Sequence, residues 1–321
     1  MKKLLNAALL MALALPFVAC TANGDKAEMN PIVPTPSEKN SSSTGDVSSS
    51  ESENSSSSDS GISGDDSSLD DGFLSGSVTL DTVTVWNLFK DTAWVSVGAG
   101  EMVWGPITLK VNDFSISKTE VTQAVYKAVM GGLPQQSNSG EAYPVENVSW
   151  YDAVLFCNAA SKLLNLDTAY VYASVGAENY LKDLTIDYST KSIRLPTEIE
   201  WEIAARAGTS TTYYWDTDEA KKYAYYAQSK GPVKVAQHIP NALGLFDVAG
   251  NVAEWVNDWY GAYPTKSVEN YTGVESGSLR VVRGGGWGDK ALALSSGERA
   301  KTPPLNKTHM LGFRVVLSEG F

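Results

Sequence analysis

Cysteine and histidine are both scarce in this chain. Its 321 residues include two of each, and only Cys157 lies beyond residue 20, so no disulfide can form within the folded part. Long apolar runs are missing after the first twenty residues, which leaves no second membrane segment. Positive charge is also in deficit, with 25 Lys and Arg against 37 Asp and Glu for a net of −12. That balance argues against a nucleic-acid partner. No repeat at a fixed period is visible. Stability must come from packing, aromatic burial or a metal.

The N-terminus reads as an export signal. MKK is a basic start, LLNAALLMALALPFV a short apolar run, and Ala19-Cys20 closes residues 1–20. The run is too short to span a membrane as a mature helix. A small residue before Cys20 resembles the lipobox of bacterial lipoproteins, which implies cleavage there and lipid on Cys20. The other reading is plain secretion. Thr21, rather than Asp, resembles lipoproteins sorted to the outer membrane. The expectation is an exported, cell-envelope, outer-membrane lipoprotein that meets the membrane through its anchor.

Residues 21–72 read as a disordered acidic linker. Between Ser41 and Ser60, 12 of 20 residues are serine and none is aromatic, so ordering entropy has nothing to offset it. Eleven acids and two lysines give this segment −9, which leaves residues 73–321 only mildly acidic. Those residues hold all nine Trp, all fifteen Tyr and both His. About 250 residues are enough for one well-buried domain.

Within that domain, VTLDTVTVW alternates as a strand should, and WVSVGAGEMVWG reads as two strands around a turn at Gly98-Ala99-Gly100. VTQAVYKAVMGG has helical spacing, with Val121, Val125 and Val129 on one face and Gly131 as its end. In VSWYDAVLFCNAASKLLN, Ser149 and Asp152 are spaced as a capping box, and Val154, Phe156, Cys157, Ala160 and Leu164 supply a buried side. Cys157 reads as core, with no histidine nearby to activate it. In IRLPTEIEWEIAARAG, Thr197 and Glu200 form a second box and Gly208 ends the helix. Glu198, Glu200 and Glu202 spread around that helix and read as structural, favoured by its N-terminal dipole.

PNALGLFDVAGNVAEW packs oxygens tightly: Asp247, the carbonyls of Gly250 and Val252, Asn251 and Glu254. Hard oxygens at this density suit Ca²⁺. A glycine turn whose acids hold backbone amides reads equally well. Further on, RVVRGGGWGDKALALSSGERAK is built like a site, with three glycines and Trp287, then Glu298-Arg299. It carries no Cys, His or evident nucleophile.

Taken in order, VSVGAGEMVWG, TEVTQAVY, VENVSWYDAVLFCN, RLPTEIEWEIAARAG, PNALGLFDVAGNVAEW, RVVRGGGW and LGFRVV resemble the sulfatase-modifying factor, or formylglycine-generating enzyme, family across roughly residues 92–319. The resemblance implies a compact α+β fold of the C-type-lectin kind, with short strands, few helices and much irregular loop. It implies a structural calcium held by Asp247 and Glu254 side chains and by the Gly250 and Val252 carbonyls. The family's first tryptophan in that block is Ala253 here. A second family calcium site needs Asn and Asp, which YYAQSKGPVKVAQ lacks. In formylglycine-generating members the glycine segment supplies a serine and two copper-binding cysteines. Those positions fall on Gly286, Asp289 and Leu294, and Cu(I) requires soft thiolates, so no copper is expected. A related sulfoxide-synthase branch holds iron with three histidines; with His238 and His309 alone, no iron is expected either.

The reading this supports is a non-catalytic binding or envelope-assembly module on an acidic stalk. Its cleft, at Gly286, Trp287, Asp289, Glu298 and Arg299, would face an unknown protein, peptide or glycan. The alternative is a divergent formylglycine oxidase or another enzyme using the same cleft, with Asp289, Glu298 and Arg299 as its groups. A structural spacer in a larger complex is a third possibility.

Overall fold

The computed structural model describes Phe89 and residues 94–321, all within one compact unit that runs from Asp71 to Phe321. The expected strand VTLDTVTVW, the linker, the signal and Cys20 lie outside the described residues. Strands β1 (Trp94–Val97), β2 (Gly100–Trp104), β3 (Ile107–Val111) and β4 (Phe114–Ser117) come first. Helices α1 (Gln123–Met130) and α2 (Trp150–Leu163) follow. Four two-residue strands, β5 (Tyr170–Val171), β6 (Ser174–Val175), β7 (Leu181–Lys182) and β8 (Thr185–Ile186), precede β9 (Ser192–Arg194) and α3 (Glu198–Arg206). The rest is β10 (Ala253–Trp259), β11 (Val268–Glu269), β12 (Arg280–Arg283), β13 (Ala300–Thr302), β14 (Leu311–Phe313) and β15 (Val316–Ser318).

The two principal sheets are four-stranded, in the orders β1-β4-β15-β9 and β13-β12-β10-β14; a third, β11-β3-β2, is smaller. In the second sheet, β10 pairs with β12 antiparallel and with β14 parallel. This is the α+β arrangement of short strands and three helices that the resemblance implies.

Two apolar clusters fill the unit, and β10 runs between them. Successive strand residues point to opposite faces, so Trp255 enters the cluster with α1 and α2, while Val256 enters the one with Ile199, Trp201 and Leu294. On β12, Val282 and Val281 divide in the same way. The buried side expected for α2 is observed, and Cys157 sits fully inside it with its thiol pushed up by burial.

Both capping boxes form. Ser149 accepts from the Asp152 amide at 3.0 Å while Asp152 accepts from the Ser149 amide at 2.8 Å. Thr197 and Glu200 do the same at 3.2 and 2.7 Å. Each box satisfies two amides that have no partner within the helix.

Three local expectations are corrected. The turn at Gly98-Ala99-Gly100 joins two strands that do not pair with each other: β1 pairs with β4 and β2 with β3. Val121 is buried with Val125 and Val129 but precedes α1, whose N-cap is Thr122. Helix α3 ends at Ala207, which takes the left-handed conformation, one residue before Gly208. Its three glutamates are structural, as expected, and more deeply buried than a solvated face would be. Glu198, Glu200 and Glu202 are 1%, 3% and 4% exposed and are met by Arg299, Arg194 and Arg283.

Candidate functional site

The glycine segment leaves β12 at Arg283 and folds back under its neighbours. Gly284 and Gly285 take φ of 86° and 68°. A Cβ on Gly285 would meet the Ala293 carbonyl at 2.9 Å, and one on Gly286 the Met310 carbonyl at 2.9 Å, so side chains are excluded by contact. Trp287 is pinned three times. Its amide donates to Asn251 O at 2.7 Å, its indole Nε1 to His309 O at 2.7 Å, and its carbonyl accepts from the Gln228 amide at 2.8 Å. Asp289 closes its own turn, with Oδ2 accepting from the Gly286 amide at 2.9 Å and its amide donating to Gly286 O at 3.0 Å. Leu294 is buried beside Trp201 and Val248 in the second cluster, whereas Leu292 is 71% exposed.

Glu298 and Arg299, adjacent in sequence, do not pair. The Glu298 side chain is exposed and only its backbone is used: its carbonyl accepts from Arg283 Nη1 and its amide donates to Ser295 O at 3.0 Å. Arg299 instead grips Glu198 with Nε and Nη2, both at 2.6 Å, and lies over the Tyr263 ring. Of the expected cleft, Trp287 and Asp289 are partly exposed, whereas Gly286 is buried against Met310. Glu298 and Arg299 serve the underside of α3, so Arg299 is not a free group for catalysis or binding.

The oxygen-rich loop is brought together, but with a different set of partners. Glu254 is fully buried and receives Arg314 through Nε and Nη2, both at 2.7 Å, together with Trp201 Nε1 at 2.6 Å. Asp247 accepts the Ala236 amide at 2.7 Å through Oδ2, and its Oδ1 stands 3.9 Å from His238 Nδ1. Gly250 takes φ of 86° with Tyr225 O at 2.4 Å from where a Cβ would be, so only glycine fits this bend.

Sequence reasoning missed Glu120. It is 1% exposed and accepts from the Val252 amide at 2.9 Å and Asn251 Nδ2 at 2.7 Å. Burial, then the charges of Asp247 and Glu254, push its carboxyl well above the usual range. Burial likewise lifts Asp247 to about 6, against the pull of the Ala236 amide and Arg314. Three buried carboxylates therefore face one guanidinium. Among the described residues, no three His, Cys, Asp or Glu side chains converge in ligating geometry. Any cation here must combine carboxylates with backbone carbonyls. In donor type and surplus negative charge the loop fits a hard divalent ion, with Asp247 the freest ligand and Glu254 shared with Arg314. The available signal for the missed arginines was a charged residue inside a β-branched run, as in RVVR and GFRVV.

A family model described as Sulfatase-modifying factor enzyme 1-like domain matches residues 90–319. The chain belongs to this family. It is 32% identical over 206 residues to Chaperone protein LppX of Paenibacillus barcinonensis, which covers 55% of this chain and 70% of that protein. It is 30% identical over 194 residues to the Formylglycine-generating enzyme of Mus musculus, covering 54% of this chain and 43% of that enzyme. The chain thus spans less than half the length of that enzyme. Among solved structures, Treponema denticola variable protein 1 superposes with a TM-score of 0.64 at 34% identity, over 70% of this chain and 94% of that one. The family domain here keeps the fold.

Removing one partner of a buried ion pair strands the other. Arg314→Met is expected to lose about 3–5 kcal/mol in urea unfolding. Lys110→Met, which breaks only the exposed 3.7 Å contact with Glu269, is expected to leave the midpoint unchanged. Equal effects from the two substitutions would contradict this account of the buried pair.

Proposed function

We propose that the protein is an exported, lipid-anchored, non-catalytic binding or assembly module of its family, with the glycine segment as its recognition surface. The observation that carries the reading is position 286. Formylglycine-generating members have a serine there, and here a Cβ would press to 2.9 Å from Met310 O. The two cysteine positions are likewise committed to structure, Asp289 to a turn and Leu294 to the core. A backbone pinned by Trp287 on three sides costs little ordering entropy when a partner binds, and the exposed Leu292 beside it offers apolar area. The relative named as a chaperone protein supports a role in binding or assembly over oxidation. No helix among the described residues is long and apolar enough to cross a membrane, so attachment falls to Cys20 in this reading.

Calcium is proposed as a structural ion, held by Asp247, Glu254 and the carbonyls of Gly250 and Val252. It would offset the surplus charge of the buried carboxylates and stiffen the loop on which Trp287 rests.

Three measurements check these statements. The protein loaded with Cu(I) and incubated with a sulfatase-type Cys-x-Pro-x-Arg peptide is expected to retain no copper and to form no aldehyde by mass spectrometry; turnover would sink the non-catalytic reading. Adding calcium to chelated protein is expected to raise the unfolding midpoint by roughly 5–10 °C. That gain should vanish in Asp247→Asn, and an unmoved midpoint in the native sequence would dismiss the ion. In a bacterial host, a clickable fatty acid should label the native chain and not Cys20→Ser; equal labelling, or none, would remove the anchor.

A further inference from the structure

Four arginines are buried almost completely, and three of them have carboxylate partners. Arg194 meets Glu200 at 2.7 Å, Arg283 meets Glu202 at 2.5 Å and Arg314 meets Glu254 at 2.7 Å. Arg280, only 4% exposed, has no carboxylate within ion-pair reach among the described residues. Its guanidinium carbon lies 3.6 Å from the Trp150 ring centre and 3.4 Å from that of Trp259. Two indoles that close can only take its opposite faces, so the group is clamped flat with its edge left for hydrogen bonding. Nη1 donates to Asn257 O at 2.7 Å, and Nε has no partner. Indole faces attract a cation but do not neutralise it. A buried charge without a counter-ion is rare and costly.

Asp258, a buried carboxyl that also acts on Arg280, does not serve as that counter-ion. Its Oδ2 is taken by the Glu198 amide at 2.7 Å, and burial, then Glu198, push its carboxyl well above the usual range. Burial lowers Arg280 to about 10, so it remains a cation at neutral pH.

Arg280 forms part of the wall of an open pocket of about 600 Å³. The size suits a small molecule. Tyr151, Tyr188, Leu184, Ile186 and Trp259 give the pocket aromatic and aliphatic walls. Asp183 and Glu275, both exposed, add two acids at its rim. No residue of the glycine segment from 284 to 299 lines it, so this is a second site, independent of the proposed recognition surface.

We propose that this pocket binds a small organic monocarboxylate with an apolar or aromatic body, its carboxylate docked on the clamped Arg280. The planar guanidinium edge matches a carboxylate. The walls select an apolar body over a sugar-like one, and the rim acids repel dianions such as phosphate. Bound carboxylate would complete the fourth ion pair in the way that Glu200, Glu202 and Glu254 complete the other three.

The test uses the full chain and 3-phenylpropionate as probe, with 3-phenylpropanamide as its uncharged twin and inorganic phosphate as an anion control. Calorimetry and the fluorescence of the clamping tryptophans report binding. The expected result is that the carboxylate binds about tenfold or more tightly than the amide, that phosphate does not compete, and that Arg280→Gln removes the preference. Should Arg280→Gln fail to fold, Thr185→Trp decides, since it crowds the pocket wall from an exposed strand without touching Arg280; it is expected to weaken carboxylate binding by a similar factor. Equal affinity for carboxylate and amide, no binding by the native chain, competition by phosphate, or unchanged binding in Thr185→Trp would each overturn the proposal.

Discussion

The Arg314–Glu254 pair holds together more of this domain than any single strand does. Arg314 follows β14 and precedes β15, so its backbone links the two principal sheets. Its guanidinium also donates to Ser117 O at 3.1 Å, at the end of β4, and to Phe246 O at 2.9 Å in the oxygen-rich loop. Glu254 adds β10 and, through Trp201, helix α3. Strands of two to seven residues make few ladder bonds. A fully hydrogen-bonded buried pair reached from this many segments restores a single arrangement that the short ladders do not specify alone. Such a pair adds little net stability over an apolar equivalent. Its contribution here is to fix which segments meet.

The same logic extends along the inner side of α3. Glu198, Glu200 and Glu202 are answered by Arg299, Arg194 and Arg283 in turn, and Arg283 also takes the carbonyls of Ser296 and Glu298. These arginines fasten the beginning and the end of the glycine segment to the helix. The segment that carries Gly286, Trp287 and Asp289 is therefore held at both ends by buried charges.

Much of the local chemistry was legible in the sequence. The two capping boxes, the αL glycine after α1 and the buried side of α2 depend on residues three or four positions apart, and each appears where expected. The order of motif blocks carried the fold. What could not be read were pairings set by distant partners. Arg299 finds Glu198 101 residues away, and Glu120 reaches Val252 across 132. Nothing local distinguishes such a glutamate from a solvated one. The adjacency of Glu298 and Arg299 misled for a related reason: neighbouring residues in extended chain face opposite ways. In the oxygen-rich loop, residue types indicated a hard cation, while the claim of Arg314 on Glu254 lay outside any local pattern.

Strand β15 lies inside its sheet, between β4 and β9. Until residues 316–318 have emerged, β4 and β9 have no common neighbour and the first sheet stays divided. A ribosome or a translocation channel that still holds this stretch thus holds back closure of the whole domain. A chain wired in this way completes its first sheet only when β15 is free to insert between β4 and β9. The order of assembly is written into the sheet.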